Sequence, residues 1–249
     1  MTIGGPPAAA VDARVRAAQR FWTNYFTVYD TLNQARPYQR MIRRQLELLA
    51  PRPDERVLDA GTGSGNFAAV LVDTGAVVTG VDFCEPAFAL ARRKAPSATF
   101  EFGDLTQPLR YADGAFDAVA CSAVLHVMNG SEQAFAIGEM VRVLRPGGRL
   151  VVTAFAEGFS AIAVYLEALR AERRALGVVA AARLGLRHSW HTARILSYVW
   201  RIQRQRRRGA YEYLSERSLD RLLRGAGLEP QVLERTLAGQ CVTALATKP

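Results

Sequence analysis

The chain has 249 residues, a length that suits one α/β domain with an elaboration better than two separate domains. Apolar residues make up 49% and charged residues 22%, ordinary for a globular protein that buries a core, and no run of about eighteen apolar residues offers a membrane-spanning helix. The net charge of +9 is concentrated: Arg170–Arg208 holds eleven arginines against one acid, Glu172, so the remainder sums to −1.

Residues 1–9, rich in Gly, Pro and Ala, read as a disordered N-terminus. They show no basic segment leading into an apolar one, so no secretory signal is read and a cytoplasmic location is expected. Residues 10–33 read as a helix in which Phe21, Trp22, Tyr25, Phe26 and Tyr29 recur at spacings of three and four. Pro37 interrupts it. A second helix carries Tyr38, Met41, Ile42, Leu46 and Leu49 on one side and stops at Pro51 and Pro53.

Strands and helices then alternate. Strands are expected at Arg56–Ala60, Val77–Val81, Thr99–Phe102, Phe116–Ser122 and Arg149–Phe155, with helices at Asn66–Thr74, Pro86–Lys94 and Ser131–Leu144. This alternation predicts a parallel sheet covered on both faces. It pauses over 156–214, which reads as helical throughout. It resumes with a helix at Glu216–Arg224, N-capped by Ser215 and followed by Gly225 and Gly227, and with strands near Glu229–Thr236 and Cys241–Ala246. The organisation expected is a helical cap over 10–51, a core over 52–155, an arginine-rich helical insertion over 156–214, and a return to the core over 215–249. Cys84, Cys121 and Cys241 form no CxxC pair and read as reduced thiols in or near the core.

The strongest chemical signal is Val57-Leu58-Asp59-Ala60-Gly61-Thr62-Gly63-Ser64-Gly65-Asn66-Phe67, a strand entering a glycine turn and then a helix. Glycine lets a ligand approach backbone with no Cβ in the way, and the helix N-terminus leaves N–H groups free. A dinucleotide loop uses the same physics but the spacing GxGxxG; here Asn66 breaks that fingerprint.

GxGxG preceded by an acid two positions earlier resembles the first motif of class I S-adenosylmethionine (SAM) methyltransferases. Four further landmarks follow in family order: Val77–Asp82 ending in an acid, Phe102-Gly103-Asp104-Leu105, Phe116-Asp117-Ala118-Val119, and Leu144-Arg145-Pro146-Gly147-Gly148-Arg149-Leu150. The resemblance covers roughly 52–155 and extends to the C-terminus through the last helix and strands. It implies a Rossmann-like, doubly wound, mostly parallel seven-stranded sheet with N-terminal helices and a helical lid, SAM as cofactor with S-adenosylhomocysteine as product, and no metal. It places Gly61, Gly63 and Gly65 under the methionine portion, with Asp59 near its amino group. Asp82 holds the ribose, Asp104 accepts from the adenine amine, Leu105 backs the ring and Phe83 packs on its edge. Thr62, Asn66 and Ser122 complete the expected cofactor set.

Methyl transfer from a sulfonium asks the protein mainly to align a nucleophile. The space beyond the strand ends is faced by Ser122, Ala123 and His126, and His126 is the one candidate base there. His188 and His191 share a face in the basic segment with no visible third metal ligand. Tyr29-Asp30 resembles the tyrosine–aspartate pair with which many small-molecule and lipid methyltransferases cap the cofactor. Tyr25 and Tyr29 join His126 as catalytic candidates, and Tyr25, Tyr29, Tyr38, His126 and Tyr165 as the expected substrate contacts.

The insertion mixes arginines with Leu186, Trp190, Ile195, Leu196, Val199, Trp200 and Ile202, which suits an anionic membrane interface. YDTLNQARPYQRM joined to VLDAGTGSGNF resembles bacterial phospholipid N-methyltransferases and quinone-biosynthesis methyltransferases. The substrate expected is therefore amphiphilic, in first place the amine of a phospholipid or aminolipid headgroup, methylated at the inner face of the membrane through Arg170–Arg208. The alternative is C- or O-methylation of a quinone or natural product. RNA is the rival partner, but the fourth strand leads into Cys121-Ser122-Ala123-Val124 and not the Asn/Asp-Pro-Pro-aromatic signature of base-amino methyltransferases. A SAM-binding protein without catalysis and an oxidoreductase are the remaining classes.

Overall fold

The computed structural model describes residues 17–27, 30 and 34–249, with the side chains of 187–193, 195 and 196 outside the described set. Seven strands form one sheet in the order β3-β2-β1-β4-β5-β7-β6: β1 (Arg56–Ala60), β2 (Val77–Asp82), β3 (Thr99–Phe102), β4 (Phe116–Ser122), β5 (Leu144–Phe155), β6 (Glu229–Thr236) and β7 (Cys241–Thr247). The pairings β1–β2, β1–β4, β2–β3 and β4–β5 are parallel, and β7 runs antiparallel between β5 and β6. Chain order reverses at β1/β4, so a crevice opens beyond the carboxyl ends of those two strands.

The strands are apolar on both faces because both faces are covered. Leu58, Val119, Cys121, Leu150 and Val152 pack with Ile137 and Met140 of α5 (Gly130–Val143) and Leu219 and Leu223 of α8 (Glu216–Gly225). Val57, Ala118, Ala120 and Val151 pack with Met41 and Leu49 of α2 (Arg36–Leu49), Phe67 and Leu71 of α3 (Asn66–Val72), and Phe88 of α4 (Phe88–Lys94). An N-terminal helix, α1 (17–27), lies against the crevice. The calls on residues 1–16 and on Tyr29 lie outside the described residues. All three cysteines are free and buried.

Among the boundaries that differ from the sequence reading, three have a visible cause. Pro86 falls in a 3-10 turn, Glu85–Ala87, and the α-helix proper starts at Phe88. Helix α5 begins one residue earlier than expected because Asn129 caps it, with Glu132 closing the capping box. Strand β5 begins at Leu144 and not at Arg149: Leu144 pairs with Phe116, and a register shift absorbs the Pro146-Gly147-Gly148 turn. Gly147 donates to the Lys248 carbonyl and Lys248 donates back to Gly148, a partner about a hundred residues away that local pattern cannot show.

The stretch 156–214 is not one helical run but an antiparallel helix pair, α6 (Ala161–Leu176) and α7 (Val178–Arg207), broken at Gly177. It leaves the sheet at Ala156 and returns beside it, where Ala156 bridges Leu214 and the Leu214 N–H donates to the Phe155 carbonyl. The whole excursion is thus mounted on the carboxyl end of β5, next to the crevice.

Gly65 opens α3 at φ +78°, and a Cβ there would lie 2.7 Å from the Ala91 Cα of α4. Gly65→Ala is expected to cost well over 1 kcal/mol in a urea titration, roughly the threshold at which an incompatible φ and a backbone clash exceed the entropy gain. Gly138→Ala, on the exposed side of α5 with no atom within 4 Å of the new Cβ, should instead add about 0.5–1 kcal/mol.

Candidate active site

The crevice is built on a turn lashed to its neighbouring strand. Gly61 and Thr62 donate to the Val81 carbonyl at 2.8 and 3.0 Å. Gly63 N–H donates to Asp82 Oδ2 and Cys84 N–H to Asp82 Oδ1, both at 2.8 Å. One carboxylate at the end of β2 therefore holds the turns after β1 and β2 in register. Gly61 sits at φ +79°, and a Cβ on it would come within 2.3 Å of Val124, so the loop after β4 closes directly over this turn.

Two cavities lie on the crevice and share Gly61, Asp82, Phe83, Val124, Val127 and Trp22. The first, ≈ 90 Å³, is lined by Asp59, Thr62, Gly63, Asn66 and Ser122 at the glycine turn, and by Tyr25, Tyr38, His126 and Phe155 beyond it. The second, ≈ 290 Å³, is lined by Gly103, Asp104, Leu105 and Tyr211. Helix α1 is pinned between them: Gln19 Nε2 donates to the Phe83 carbonyl at 2.8 Å, and Phe26 rests on Gly63.

The electrostatics are negative. Burial raises Asp59 to about 6, although Thr62 Oγ1 donates to it at 2.7 Å. Burial also raises Asp82, partly offset by the N–H groups of Cys84 and Gly63. Neither acid has an ion-pair partner among the described residues. Asp104 takes the Thr106 N–H and hydroxyl on Oδ1 alone.

At the far end of the first cavity the walls are aromatic. His126, in a one-turn helix after β4, is 4% exposed and stacks on Phe155 with centroids 4.0 Å apart. Phe155 stacks in turn on Phe159 at 4.1 Å, and Tyr213 meets His126 and Phe155 edge-on. Burial lowers His126 to about 3, so it is neutral, and its Nδ1 has no hydrogen-bond partner among the described residues. Burial, helped by nearby Tyr38 and Tyr213, holds the Tyr25 phenol well above its ordinary range.

Not every expected residue reaches the crevice. Gly65 lines neither cavity, since its missing side chain serves the approach of α3 to α4. Tyr165 lines neither cavity, because its position on α6 turns the hydroxyl toward Gly185 of α7. Asp30 and Asn66 join a polar cluster: Lys94 Nζ donates to Asp30 at 2.6 Å and to Asn66 at 2.7 Å, and Ser64 donates to Asp30 at 2.7 Å. Tyr29 and the side chains of His188 and His191 lie outside the described residues. No metal cluster is present among the described residues. Phe155, Phe159 and Tyr213 were missed; the signal for Phe155 was its place at the carboxyl end of the fifth strand.

Residues 58–152, from β1 to β5, match the family model of a methyltransferase domain. The chain carries a methyltransferase domain over these residues. It is 45% identical over 113 residues to the demethylmenaquinone methyltransferase of Beutenbergia cavernae, an alignment covering 45% of this chain and 46% of that protein. It is 40% identical over 135 residues to the demethylmenaquinone methyltransferase of Thermus thermophilus, covering 51% of this chain and 60% of that one. The chain thus matches roughly half of the length of these relatives. In fold it is similar to the 1,6-didemethyltoxoflavin-N1-methyltransferase of Burkholderia thailandensis, solved with its substrate and S-adenosylhomocysteine, at a TM-score of 0.61 and 21% identity over 99% of this chain and 93% of that one.

The methyltransferase crevice fits a cationic nucleoside. It offers a glycine-rich turn, two buried acids without an ion-pair partner among the described residues, and in Asp104 a carboxylate that accepts both of its Thr106 bonds on one oxygen.

Asp104→Asn should weaken S-adenosylhomocysteine binding by about 10- to 100-fold in calorimetry, the range for losing a hydrogen bond to a charged acceptor. Its melting temperature should hardly move, whereas Asp82→Asn should lower both affinity and melting temperature. The depressed pKa of His126 means that its stability contribution is present above its ordinary 6.5 and is lost as pH falls toward about 3. The parent should therefore lose more stability than His126→Phe between about pH 6.5 and 4; parallel denaturation curves would show a solvated imidazole.

Proposed function

We propose that this chain transfers the methyl group of SAM to a ring carbon of an amphiphilic quinol. When bound, SAM supplies a methyl group on a positively charged sulfur, already activated for transfer. Asp82 would hold the ribose hydroxyls with the oxygen lone pairs not used by Gly63 and Cys84. Phe83, Asp104 and Leu105 would take the adenine, and Asp59, Thr62 and Gly63 the methionine end. A cation beside Asp59 favours its ionised form.

The observation that carries the substrate reading is the wall of the first cavity. His126 and Phe155 line it and stack on each other, with Phe159 stacked behind Phe155, and such a wall suits a planar ring packed flat or edge-on. Within it, the unpartnered Nδ1 of a neutral, buried imidazole asks for a hydrogen-bonding partner such as a ring hydroxyl. With so low a pKa, His126 orients that hydroxyl as an acceptor and is a poor proton acceptor itself. Tyr25 and Tyr38 also line this cavity. The names of the relatives support the quinone alternative over the lipid amine that the sequence placed first.

The test is label transfer from methyl-labelled SAM, in parallel, to a reduced demethylated naphthoquinol and to phosphatidylethanolamine vesicles. Label in the quinol ring is expected, with His126→Phe lowering turnover at least 10-fold while S-adenosylhomocysteine affinity holds. Label in the lipid amine, or in neither acceptor, would overturn the reading.

A further inference from the structure

The crevice does not use the far end of the helix pair. Residues 173–179, Arg173-Arg174-Ala175-Leu176-Gly177-Val178-Val179, are all exposed where α6 turns into α7. Leu176, Val178 and Val179 are 63%, 68% and 65% exposed, and a Cβ on Gly177 would meet nothing within 4 Å. Three aliphatic side chains held in water at the tip of a projecting hairpin form a patch that a monomeric domain gains nothing from exposing.

The tip continues into one face of α7. Val179, Arg183, Arg194, Ser197, Trp200, Arg201 and Arg204 are exposed and recur at helical spacing, with Trp200 63% exposed under the Arg204 guanidinium. The opposite face carries Tyr198, in contact with Phe21 and Tyr25 of α1, and buried Ile202. Helix α7 contains no acid. The acids of α6 are engaged, Glu172 with Arg36 at 2.8 Å and Glu167 with Arg40 and Arg174. None of the exposed arginines of α7 forms an ion pair among the described residues.

We infer that the α6–α7 hairpin docks on an anionic phospholipid bilayer, with Leu176, Val178 and Val179 entering the acyl boundary and the arginine face of α7 lying on the headgroups. Aliphatic side chains at the leading edge suit acyl chains, whereas nucleic acid is gripped by basic and aromatic groups and offers them nothing to enter. A second copy would bring two uncompensated arginine faces together. No described helix is long and apolar enough to cross a membrane, so this contact is interfacial. The inference stands apart from the quinol reading, because binding is read without methyl transfer.

The test is co-sedimentation of the full chain with vesicles of phosphatidylcholine alone or mixed with phosphatidylglycerol. Binding is expected only to the anionic vesicles, weakening with salt. A Leu176→Ser/Val178→Ser/Val179→Ser variant should bind about 10-fold or more weakly, as should Arg183→Glu/Arg201→Glu. Both should keep the parent melting temperature and S-adenosylhomocysteine affinity, which shows that they fold. Equal partitioning of the triple variant, absence of binding to anionic vesicles, self-association abolished by the triple variant, or RNA binding in preference to vesicles would each overturn the inference.

Discussion

The Asp82 carboxylate is the constraint on which the site depends. It is buried at the end of β2, and its two oxygens accept N–H groups from Gly63 on one side and Cys84 on the other. Charge-assisted bonds of this kind are short and strong, and they offset the cost of burying the charge. Without them the glycine turn would be tied to β2 only through the Val81 carbonyl, which accepts from Gly61 and Thr62. With them, the turn, the adenine-side acid Asp104 and the β4 loop carrying Val124 and His126 meet in one crevice at the point where strand order reverses.

The crevice then divides by chemistry. The end at the glycine turn is acidic and lined with backbone; the end at His126 is aromatic and nearly uncharged. Asp82 opposes the ionisation of Asp59, and Asp104 that of Asp82, a crowding of acids that a positive ligand would relieve. Phe155, Phe159, Tyr213 and His126 interlock beyond it, and helix α1 closes the side with Trp22, Tyr25 and Phe26. The helix pair grows out of the end of β5, the strand that supplies Phe155. The substrate wall and the hairpin are thus two parts of one excursion from the sheet.

Much of this was legible in the sequence where the signal is local. Asp59, Asp82 and Asp104 lie at or just past the carboxyl ends of their strands, which is the edge where the crevice opens, and the two faces of the sheet follow from the unbroken apolar runs. At Gly65 the missing side chain admits α4 through Ala91, and glycine spacing does not tell a ligand's approach from that of another helix. Tyr165 misled because the rotation of α6 about its axis depends on what α7 presents to it. The early start of β5 depends on Lys248, and the pairing of Phe155 with Tyr213 on the return of the chain after two helices. Those contacts are long-range and leave no periodic trace.

The account rests on the claim that Asp82 serves both the turn and a nucleoside. A crystal structure grown with S-adenosylhomocysteine tests it most directly. The account predicts the ribose hydroxyls on Asp82 with its bonds to Gly63 and Cys84 kept, and the adenine against Phe83 and Leu105. A ligand seated elsewhere, or an Asp82 that releases the turn in order to bind, would contradict it.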